Sequence, residues 1–490
     1  MAVVSAFPSS RPGPGSTPPS RRTFLAESLA TAGLLSLSPA RALATESLLV
    51  ANVTGLYSVR VARIETPHST DEVATLVRAC RHGQIAIGGG RFSMGGQVAV
   101  LGGLHVDMRQ MNKIVWLRPE EHAVRVQAGM RWRDLQDHLD SAGLAVKTMQ
   151  SYANFTVGGS VSVNCHGRYV GHGPIGNTVR ALQLVLADGT VVESNPTVQT
   201  ELFRAAIGGY GAIAVITEVE LELADNVRME RVVEEVPLER YVAHFKENVL
   251  ADKRAVLHNA DLLPPLFDRP VSVTWRQTPE TNPLTETARL VPRGQTYGLE
   301  QNTIWSITEL PGGQTLRKKF IQPMQTGKPA VKWLSHEASL DVAVLEPRTR
   351  VMSTYVLQEY FIPELRAMAF VREMAKVLQR HNVVALNVSI RHSPADTVSL
   401  LPWAPEDVFS FVLYYKQRTW TRAQKAVGVW TRELIEAALQ HGGRYYLPYQ
   451  LHATKQQFES AYPEVTQLRR LKQQVDPMGK FSNELWRRYL

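Results

Sequence analysis

Hydrophobic and polar positions from residue 69 onward follow first the period of a helix and then that of a strand. Ser69-Thr70-Asp71-Glu72 has the composition of a helix cap, and apolar residues recur at helical spacing from Val73 to Cys80. The apolar run 85–88 follows directly. The pattern predicts a capped amphipathic helix that leads into a buried strand.

The same mixture of helix and strand periods continues as far as residue 225. Residues 132–139 have helical spacing, and Asp188-Gly189 is a strong hairpin signal inside the run 182–193. A strand-like run at 213–223 follows a glycine-rich bend. Residues 46–225 are therefore predicted to form one α+β unit.

From residue 226 to 455 the pattern is less regular. Strand-like runs at 386–390 and 408–415 and the helical spacing of 366–381 favour a largely antiparallel domain flanked by helices. The last residues, 456–490, form a C-terminal segment that is helical at first. Because single cores stop growing at roughly 250 to 300 residues, two lobes are expected in a chain of 490.

The N-terminus has the features of an export signal. Pro and Ser are frequent in 7–20, the motif Ser20-Arg21-Arg22-Thr23-Phe24-Leu25 precedes a mostly apolar run, and Ala42-Leu43-Ala44 is typical of a cleavage site. Residues 1–44 are predicted to be a twin-arginine signal peptide of a periplasmic or secreted bacterial protein, exported folded. The alternative is a disordered tail followed by a short buried or membrane-anchoring helix, but the apolar run is shorter than the roughly 20 residues needed to span a bilayer.

Charge and cysteine content exclude several classes. The net charge of +9 is modest for this length, so no nucleic-acid partner is expected, and no other stretch indicates a stable membrane span. Two cysteines, Cys80 and Cys165, allow at most one disulfide. His166 and His172 lack further ligands at metal-binding spacing, so no metal site is predicted.

Three glycine-rich segments carry the candidate chemistry. The first follows the strand 85–88 and consists of Gly88, Gly89, Gly90, Arg91, Phe92 and Ser93. Its small residues free backbone N–H groups to surround an anion, and an arginine adds charged hydrogen bonds. Taken alone, the segment is weak evidence, because glycine-rich turns also occur where two elements pack closely. It also departs from the dinucleotide fingerprint, because Ser93 stands at the third glycine.

The other two segments extend this pattern. The second contains Thr156, Val157, Gly158 and Gly159, followed by His166 and Gly167. The third, 207–216, turns into an apolar strand that includes Val215. Two loops of this kind in one domain suggest a long diphosphate ligand held from two sides.

In this order and spacing, the segments resemble the FAD-binding domain of the vanillyl-alcohol-oxidase (PCMH-type) flavoprotein superfamily. The stretch 476–483 is similar to its sugar and lactone oxidase branch, and 156–159, 166–168 and Tyr446-Leu447 most resemble bacterial decaprenylphosphoryl-ribose oxidase. The resemblance covers about 55–225 and 440–490.

The resemblance implies an α+β fold with a two-lobed FAD-binding domain, 46–225, and an antiparallel-sheet substrate-binding cap domain, 226–455. The segment 456–490 is expected to return to the FAD-binding domain. Residues 88–93 would surround the diphosphate, 156–159 and 166–167 would lie along the flavin, Val215 would meet the adenine side, and Tyr446 would close over the cofactor.

The resemblance also bears on how FAD is held. Many relatives have a histidine at the position of Arg91, and that histidine is the covalent attachment point of the flavin. Its replacement predicts non-covalent FAD. A thioether to Cys165 is the alternative, although Cys165 does not fall on the cysteine motif of relatives with two covalent links.

Four residues are predicted on the substrate side. Glu359 resembles the acidic residue of polyol oxidases that binds substrate hydroxyl groups, and Arg391 resembles a strand-borne arginine of lactone oxidases. For both, the alternative is an inter-strand salt bridge. His166 and Tyr449 are the further candidates for a general base. Tyr449 stands where the decaprenylphosphoryl-ribose branch has a lysine, which leaves the substrate open.

The expected reaction is oxidation of a CH–OH group of a sugar, polyol or sugar lactone by hydride transfer to flavin N5. Its partners would be a small-molecule substrate and oxygen or another electron acceptor. Tyr446-Leu447-Pro448-Tyr449 also resembles a motif of cytokinin dehydrogenases, so an amine substrate stays open. A secreted binding protein without catalysis is the alternative from another class.

Overall fold

The computed structural model describes residues 48–309, 329–347 and 349–490. The predicted export signal lies outside these residues. The described residues from 50 onward form one compact unit. Among the described helices, none is both long and apolar enough to cross a membrane.

A two-stranded sheet, β1-β2, is followed by a small parallel sheet with strand order β3-β5-β4. The strands up to this point are β1 (Leu49–Ala51), β2 (Ser58–Arg60), β3 (Arg63–Glu65), β4 (Ile85–Gly88) and β5 (Leu104–Asp107). The predicted helix, α1 (Thr70–Ala79), leads into β4, and the Ser69 side chain accepts a hydrogen bond from the Glu72 backbone N–H as a helix cap does.

A six-stranded antiparallel sheet follows, ordered β10-β9-β11-β7-β6 with β8 paired to β11. Its strands are β6 (Ile114–Arg118), β7 (Ala123–Gln127), β8 (Leu144–Val146), β9 (Val179–Val185), β10 (Val191–Ser194) and β11 (Val215–Asp225). The helices of this region are α2 (Trp132–Asp140), α3 (Val157–Ser162) and α4 (Thr200–Ala206). The predicted hairpin at Asp188-Gly189 is confirmed, because β9 and β10 pair across it.

The largest sheet has eight antiparallel strands in the order β15-β12-β14-β13-β17-β18-β16-β19. They are β12 (Arg228–Glu235), β13 (Ala255–Leu262), β14 (Val271–Gln277), β15 (Val331–Trp333), β16 (Ser353–Pro363), β17 (Ala385–Ser393), β18 (Val408–Arg418) and β19 (Arg444–Tyr445). The other helices are α5 (Tyr241–His244), α6 (Gly298–Glu309), α7 (Leu334–Ala338), α8 (Ala367–Arg380), α9 (Thr421–Gln440), α10 (Lys455–Ala461), α11 (Val465–Val475) and α12 (Glu484–Tyr489).

The C-terminal segment returns to the first sheet, as expected. The Ile85 backbone N–H donates to the Lys480 carbonyl at 2.7 Å, and Phe481 forms a bridge with Ile85. The buried Asp476 carboxylate holds this turn by accepting from the backbone N–H groups of Lys480 and Phe481 and from Lys472 Nζ. The α+β class and the antiparallel second sheet are therefore confirmed, whereas the exact domain bounds stay predictions.

Candidate active site

The first two glycine-rich segments approach each other too closely for larger residues. The first follows β4, and the second leads into α3. A Cβ on Gly89 would lie 2.2 Å from Thr156 Oγ1, and one on Gly90 would lie 2.8 Å from the Phe92 ring. Glycine at these positions therefore lets the two backbones line one space, which is the reason for the sequence pattern.

Two cavities meet between these segments. One extends toward the third segment and is lined there by Tyr210, Gly211, Ala212, Ile213 and Ala214. The other extends toward the eight-stranded sheet. They share the lining residues Gly89, Ser93, Val98, Thr156, Gly159 and Val163. The site is thus one elongated space that crosses from the FAD-binding region to the large sheet.

Several buried polar atoms around this space have no hydrogen-bond partner among the described residues. They are Thr156 Oγ1, Ser151 Oγ, Arg91 Nε and His166 Nδ1. All four residues line the second cavity. Buried polar groups are normally paired, so these atoms indicate a ligand with acceptors and donors along its length. A long dinucleotide such as FAD fits this donor set and the glycine-lined space.

Arg91 occupies the position at which many relatives have the attachment histidine. Its backbone has a φ of 61°, in the left-handed region, and its guanidinium donates to Asp107 at 2.8 Å. Asp107 also accepts a hydrogen bond from Arg109, so this group of two arginines and one carboxylate carries a net positive charge beside the cavity. Cys165 lines the cavity too, and burial raises the pKa of its thiol, which opposes formation of a reactive thiolate.

Glu359, His166 and Tyr449 form one hydrogen-bonded cluster in the second cavity. His166 Nε2 lies 2.6 Å from Glu359 Oε1, and the Tyr449 hydroxyl donates to Oε2 at 3.1 Å. Burial opposes ionisation of Glu359, but the charge and hydrogen bond of His166, the charge of Arg391 and the Tyr449 hydrogen bond hold its pKa below the usual value. Glu359 is therefore a buried carboxylate whose two oxygens are both engaged.

Tyr449 is a proton donor in this cluster. Burial, with the charge of Glu359, raises its pKa well above the usual value. Because an ionised carboxylate can only accept, His166 Nε2 carries the proton shared with Glu359. Of the three predicted bases, Glu359 is the one with ionised acceptor oxygens.

Aromatic rings fix this cluster from behind, and sequence reasoning did not find all of them. The Trp403 ring lies 4.8 Å from the His166 ring and stacks on Phe361 at 4.2 Å. The predicted Tyr446 lines the cavity, and its hydroxyl donates to the Val163 carbonyl at 2.8 Å. Trp403 carries no sequence signal for this role, because it lies far along the chain from His166.

Arg391 also lines the cavity, from β17. Its Nε is buried without a hydrogen-bond partner, and within the described residues its guanidinium forms no ion pair. Arg391 therefore does not form the inter-strand salt bridge that was the alternative for this residue. Glu359 likewise pairs with His166 from the other region and not with a neighbouring strand.

Two predicted cofactor residues, Gly88 and Gly167, do not line either described cavity. A Cβ on Gly88 would lie 2.4 Å from the His105 ring, and one on Gly167 would lie 2.1 Å from the Met149 carbonyl oxygen. Both glycines permit close packing behind the site, which was the alternative given for such turns.

Val157 and Val215 are fully buried and also lie outside the described linings of the two cavities. For Val215 the reason is strand alternation, because its neighbours Ala214 and Ile216 line the first cavity in its place. The third segment thus contributes as predicted, through side chains one position away.

His166 and His172 do not come together as a metal site. His166 is engaged with Glu359, and His172 Nδ1 lies 2.9 Å from the Lys147 carbonyl oxygen. Glu364, His392 and Asp407 form a group of possible ligands elsewhere, but Lys246 Nζ already lies 2.5 Å from the Glu364 carboxylate.

Comparisons with known proteins agree with this geometry. Residues 61–195 match the family described as FAD binding domain, and 268–489 match D-arabinono-1,4-lactone oxidase. L-gulonolactone oxidase of Mus musculus is 24% identical over 421 residues, 84% of this chain and 90% of its own length. A putative D-arabinono-1,4-lactone oxidase of Neurospora crassa is 31% identical over 156 residues, 31% of this chain and 28% of its own. D-lactate dehydrogenase of Anaerostipes hadrus is 33% identical over 164 residues, 32% and 34% of the two chains.

A glycine-lined dinucleotide space beside a buried acid–histidine cluster, together with these matches, places the chain among the PCMH-type FAD-binding oxidoreductases. The match over 268–489 assigns it to their sugar-lactone oxidase branch. It is an FAD-dependent oxidoreductase.

Proposed function

We propose that this chain oxidises a CH–OH group of a sugar lactone or a related sugar-like substrate, with Glu359 as the general base. The observation that carries the proposal is the ionised, buried Glu359 in the wall of the second cavity. The names of the relatives, L-gulonolactone oxidase and D-arabinono-1,4-lactone oxidase, support the substrate class.

Residues that the two cavities share, Gly89, Ser93, Thr156 and Gly159, would hold FAD. Bound FAD supplies the two-electron acceptor for the oxidation. The chain's own contribution is to orient the substrate and to take its hydroxyl proton. Since Arg91 replaces the attachment histidine and Cys165 is a buried thiol of raised pKa, we propose that FAD is bound non-covalently.

Glu359 has the geometry for proton removal. Its carboxylate is desolvated, and two donors, His166 Nε2 and the Tyr449 hydroxyl, fix its orientation. A substrate hydroxyl that reaches Glu359 meets an acceptor already held in place, so little reorganisation is needed when the proton moves.

The test is anaerobic mixing of the FAD-loaded protein with L-gulonolactone, D-arabinono-1,4-lactone, an open-chain polyol and a secondary amine. Loss of the visible flavin absorption with a lactone or polyol is expected. Reduction by the amine alone would replace this proposal with amine oxidation. No reduction by any compound, with FAD bound, would contradict it in favour of a protein without catalysis.

The second half of the reaction passes electrons to oxygen or another acceptor. We propose oxygen as the first candidate, because the relatives that act on sugar lactones and are named above, L-gulonolactone oxidase and D-arabinono-1,4-lactone oxidase, are named as oxidases. Mixing the reduced protein with air-saturated buffer tests this directly. Rapid return of the flavin absorption supports an oxidase, and slow return accelerated by an artificial acceptor assigns a dehydrogenase.

We also propose that residues 1–44 direct export of the folded, FAD-loaded protein to the periplasm or outside the cell. The Arg21-Arg22 pair and Ala42-Leu43-Ala44 support this. Full-length protein and an Arg21→Lys, Arg22→Lys double variant can be compared by cell fractionation. Retention of the double variant in the cytoplasm is expected, and equal export of both would contradict the proposal.

A further inference from the structure

Asn164, two residues before His166, combines an unusual backbone with a buried side chain. Its φ is 47°, in the left-handed region, and the residue is fully buried. The Gly176 backbone N–H donates to Asn164 Oδ1 at 3.0 Å. Because a backbone N–H can only donate, this bond turns Asn164 Nδ2 toward Asp396, to which it donates at 2.8 Å. A residue other than glycine keeps such a backbone only where its surroundings hold it.

Asp396 lies in the β17–β18 loop (394–407) and is held from several sides. Its carboxylate also accepts from the backbone N–H groups of Val398 and Ser399, both at 3.0 Å, and from the Ser399 hydroxyl. The Asp396 backbone N–H donates to the Ala404 carbonyl at 2.7 Å and closes the loop on itself. The side-chain bridge therefore connects the second glycine-rich segment to a loop of fixed shape.

The same loop also holds the Asn164 backbone. Trp403 Nε1 donates to the Asn164 carbonyl at 2.8 Å, and the Tyr446 hydroxyl donates to the preceding carbonyl, that of Val163, at 2.8 Å. The centroids of the Trp403 and His166 rings are 4.8 Å apart. One loop thus contacts the side chain of Asn164, its carbonyl and the ring two residues further on.

His166 has no second hydrogen bond of its own to orient its ring. Its Nε2 lies 2.6 Å from Glu359 Oε1, but its Nδ1 has no hydrogen-bond partner within the described residues. The orientation of a histidine ring is commonly set by a hydrogen bond on its second nitrogen. Since no described group of the chain supplies that bond, the orientation depends on the backbone that Asn164 holds and on the Trp403 ring.

We propose that Asn164 and Asp396 are positioning residues, which act through His166 and hold its Nε2 on Glu359. The inference rests on the proposed function, because it takes Glu359 as the group that accepts the substrate proton. The other groups that act on Glu359 are Tyr449, which donates to Oε2, and Arg391, through its charge. Neither of them contacts the bridge, so breaking the bridge changes the His166 contribution alone.

The direction of the expected effect follows from the environment of Glu359. Burial raises the pKa of Glu359, and the charge and hydrogen bond of His166 are the largest contributions that lower it. If His166 moves away while Glu359 stays buried, the pKa of Glu359 rises. The carboxylate form, and flavin reduction with it, is then lost at a higher pH than in the wild type.

The experiment exchanges the two side chains and measures flavin reduction by L-gulonolactone in FAD-loaded protein. Asp396→Asn places an amide against an amide, and Asn164→Asp places a carboxylate against a carboxylate. Each single variant should reduce flavin at least roughly tenfold more slowly, up to the 10²-fold of about a 1 Å misplacement. The acid limb of the pH profile should move up by about one pH unit or more. The double variant again places a donor against an acceptor, so it should recover both.

A second measurement does not depend on catalysis. In NMR of histidine-labelled protein without substrate, the hydrogen-bonded Nε2–H of His166 is assigned by its absence in His166→Gln. We expect this signal in the wild type and the double variant, and its loss in both single variants. The matched control is Asn282→Asp, because Asn282 Nδ2 donates to the Glu230 carboxylate at 3.1 Å, outside both cavities. It should keep the rate, the pH profile and the His166 signal.

Single variants that keep the wild-type rate, pH profile and His166 signal in their FAD-loaded fraction would overturn the inference, even if they lose stability or FAD content. Where a single variant does not fold, Trp403→Phe replaces it, since this change keeps an aromatic ring and removes the N–H donor to Asn164. A shift of the acid limb in the same direction supports the inference, and an unchanged profile contradicts it. If L-gulonolactone and the other compounds fail to reduce even the wild type, the proposed function fails, and the His166 signal still tests the bridge.

Discussion

Replacing Glu359 by Gln tests the assignment of the base most directly. The substitution keeps the volume of the side chain but removes the ionised acceptor. A glutamine amide offers a single acceptor oxygen, whereas His166 and Tyr449 both donate to Glu359. One of these donors therefore loses its partner, and the substrate hydroxyl loses the group that takes its proton.

The expected effect is a fall in the rate of flavin reduction of about 10²- to 10⁴-fold, the range for loss of a general base. This equals about 2.7 to 5.5 kcal/mol in the activation free energy. Anaerobic stopped-flow measurement of flavin reduction gives the rate without interference from the electron acceptor. The matched control is Glu364→Gln, the same change at the residue that directly follows strand β16 but lies outside the second cavity. Flavin reduction in this variant should proceed at nearly the wild-type rate.

The pH dependence of the wild-type rate follows from the direction of the shift. The folded-state pKa of Glu359 is depressed, so the carboxylate form and its contribution to stability are fully present above the usual glutamate pKa. Both are lost only as pH falls through the lower folded value. The contribution of Glu359 to the rate of flavin reduction should therefore be constant through the neutral pH range and decline only in acid.

A Glu359→Gln variant that reduces flavin at the wild-type rate, at full FAD content, would refute the assignment of Glu359 as the base.

Three further predictions concern the cofactor and the fold. Gly89→Ala places a Cβ 2.2 Å from Thr156 Oγ1, which overpacks the site at a cost of about 1 to 3 kcal/mol. FAD binding, measured by flavin fluorescence titration, should therefore weaken. Unchanged affinity would argue that Gly89 does not line the FAD site. Acid precipitation of the wild type and of Cys165→Ser should release all yellow colour into the supernatant, whereas colour retained only by the wild type would show a thioether. Asp476→Ala leaves Lys472 without its carboxylate and the C-terminal turn without its acceptor. The free energy of unfolding, measured by chemical denaturation, should therefore fall by about 3 to 5 kcal/mol. A loss below about 1 kcal/mol would contradict the role of Asp476 in stabilising this turn.

Local patterns were sufficient where one element determines its own conformation. The cap at Ser69, the hairpin at Asp188-Gly189 and the strands at 386–390 and 408–415 all form as predicted. Capping groups, turn residues and hydrophobic periods act over a few residues, so they can be read without knowledge of the rest of the chain. The similarity to decaprenylphosphoryl-ribose oxidase and the export signal stay predictions.

Local sequence patterns did not determine which residues of a strand or turn face the ligand. Val215 was predicted to meet the cofactor, but strand alternation places Ala214 and Ile216 there. Gly88 was predicted to surround the diphosphate and Gly167 to lie along the flavin, but they pack against His105 and Met149. The sequence identifies the segment that lines the site. Which of its residues face the ligand depends on the strand register and on neighbours distant in the chain.

The sequence by itself determined the class of this protein: its α+β organisation, its glycine-rich FAD segments and the residue types of its acid–base group. Only the tertiary structure decided that Glu359 meets His166 across 193 positions of chain, that Trp403 packs behind them, and that Arg391 lines the same cavity. Such contacts depend on how the large sheet packs against the FAD-binding region. Their energies come from burial and long-range pairing, which no local pattern records.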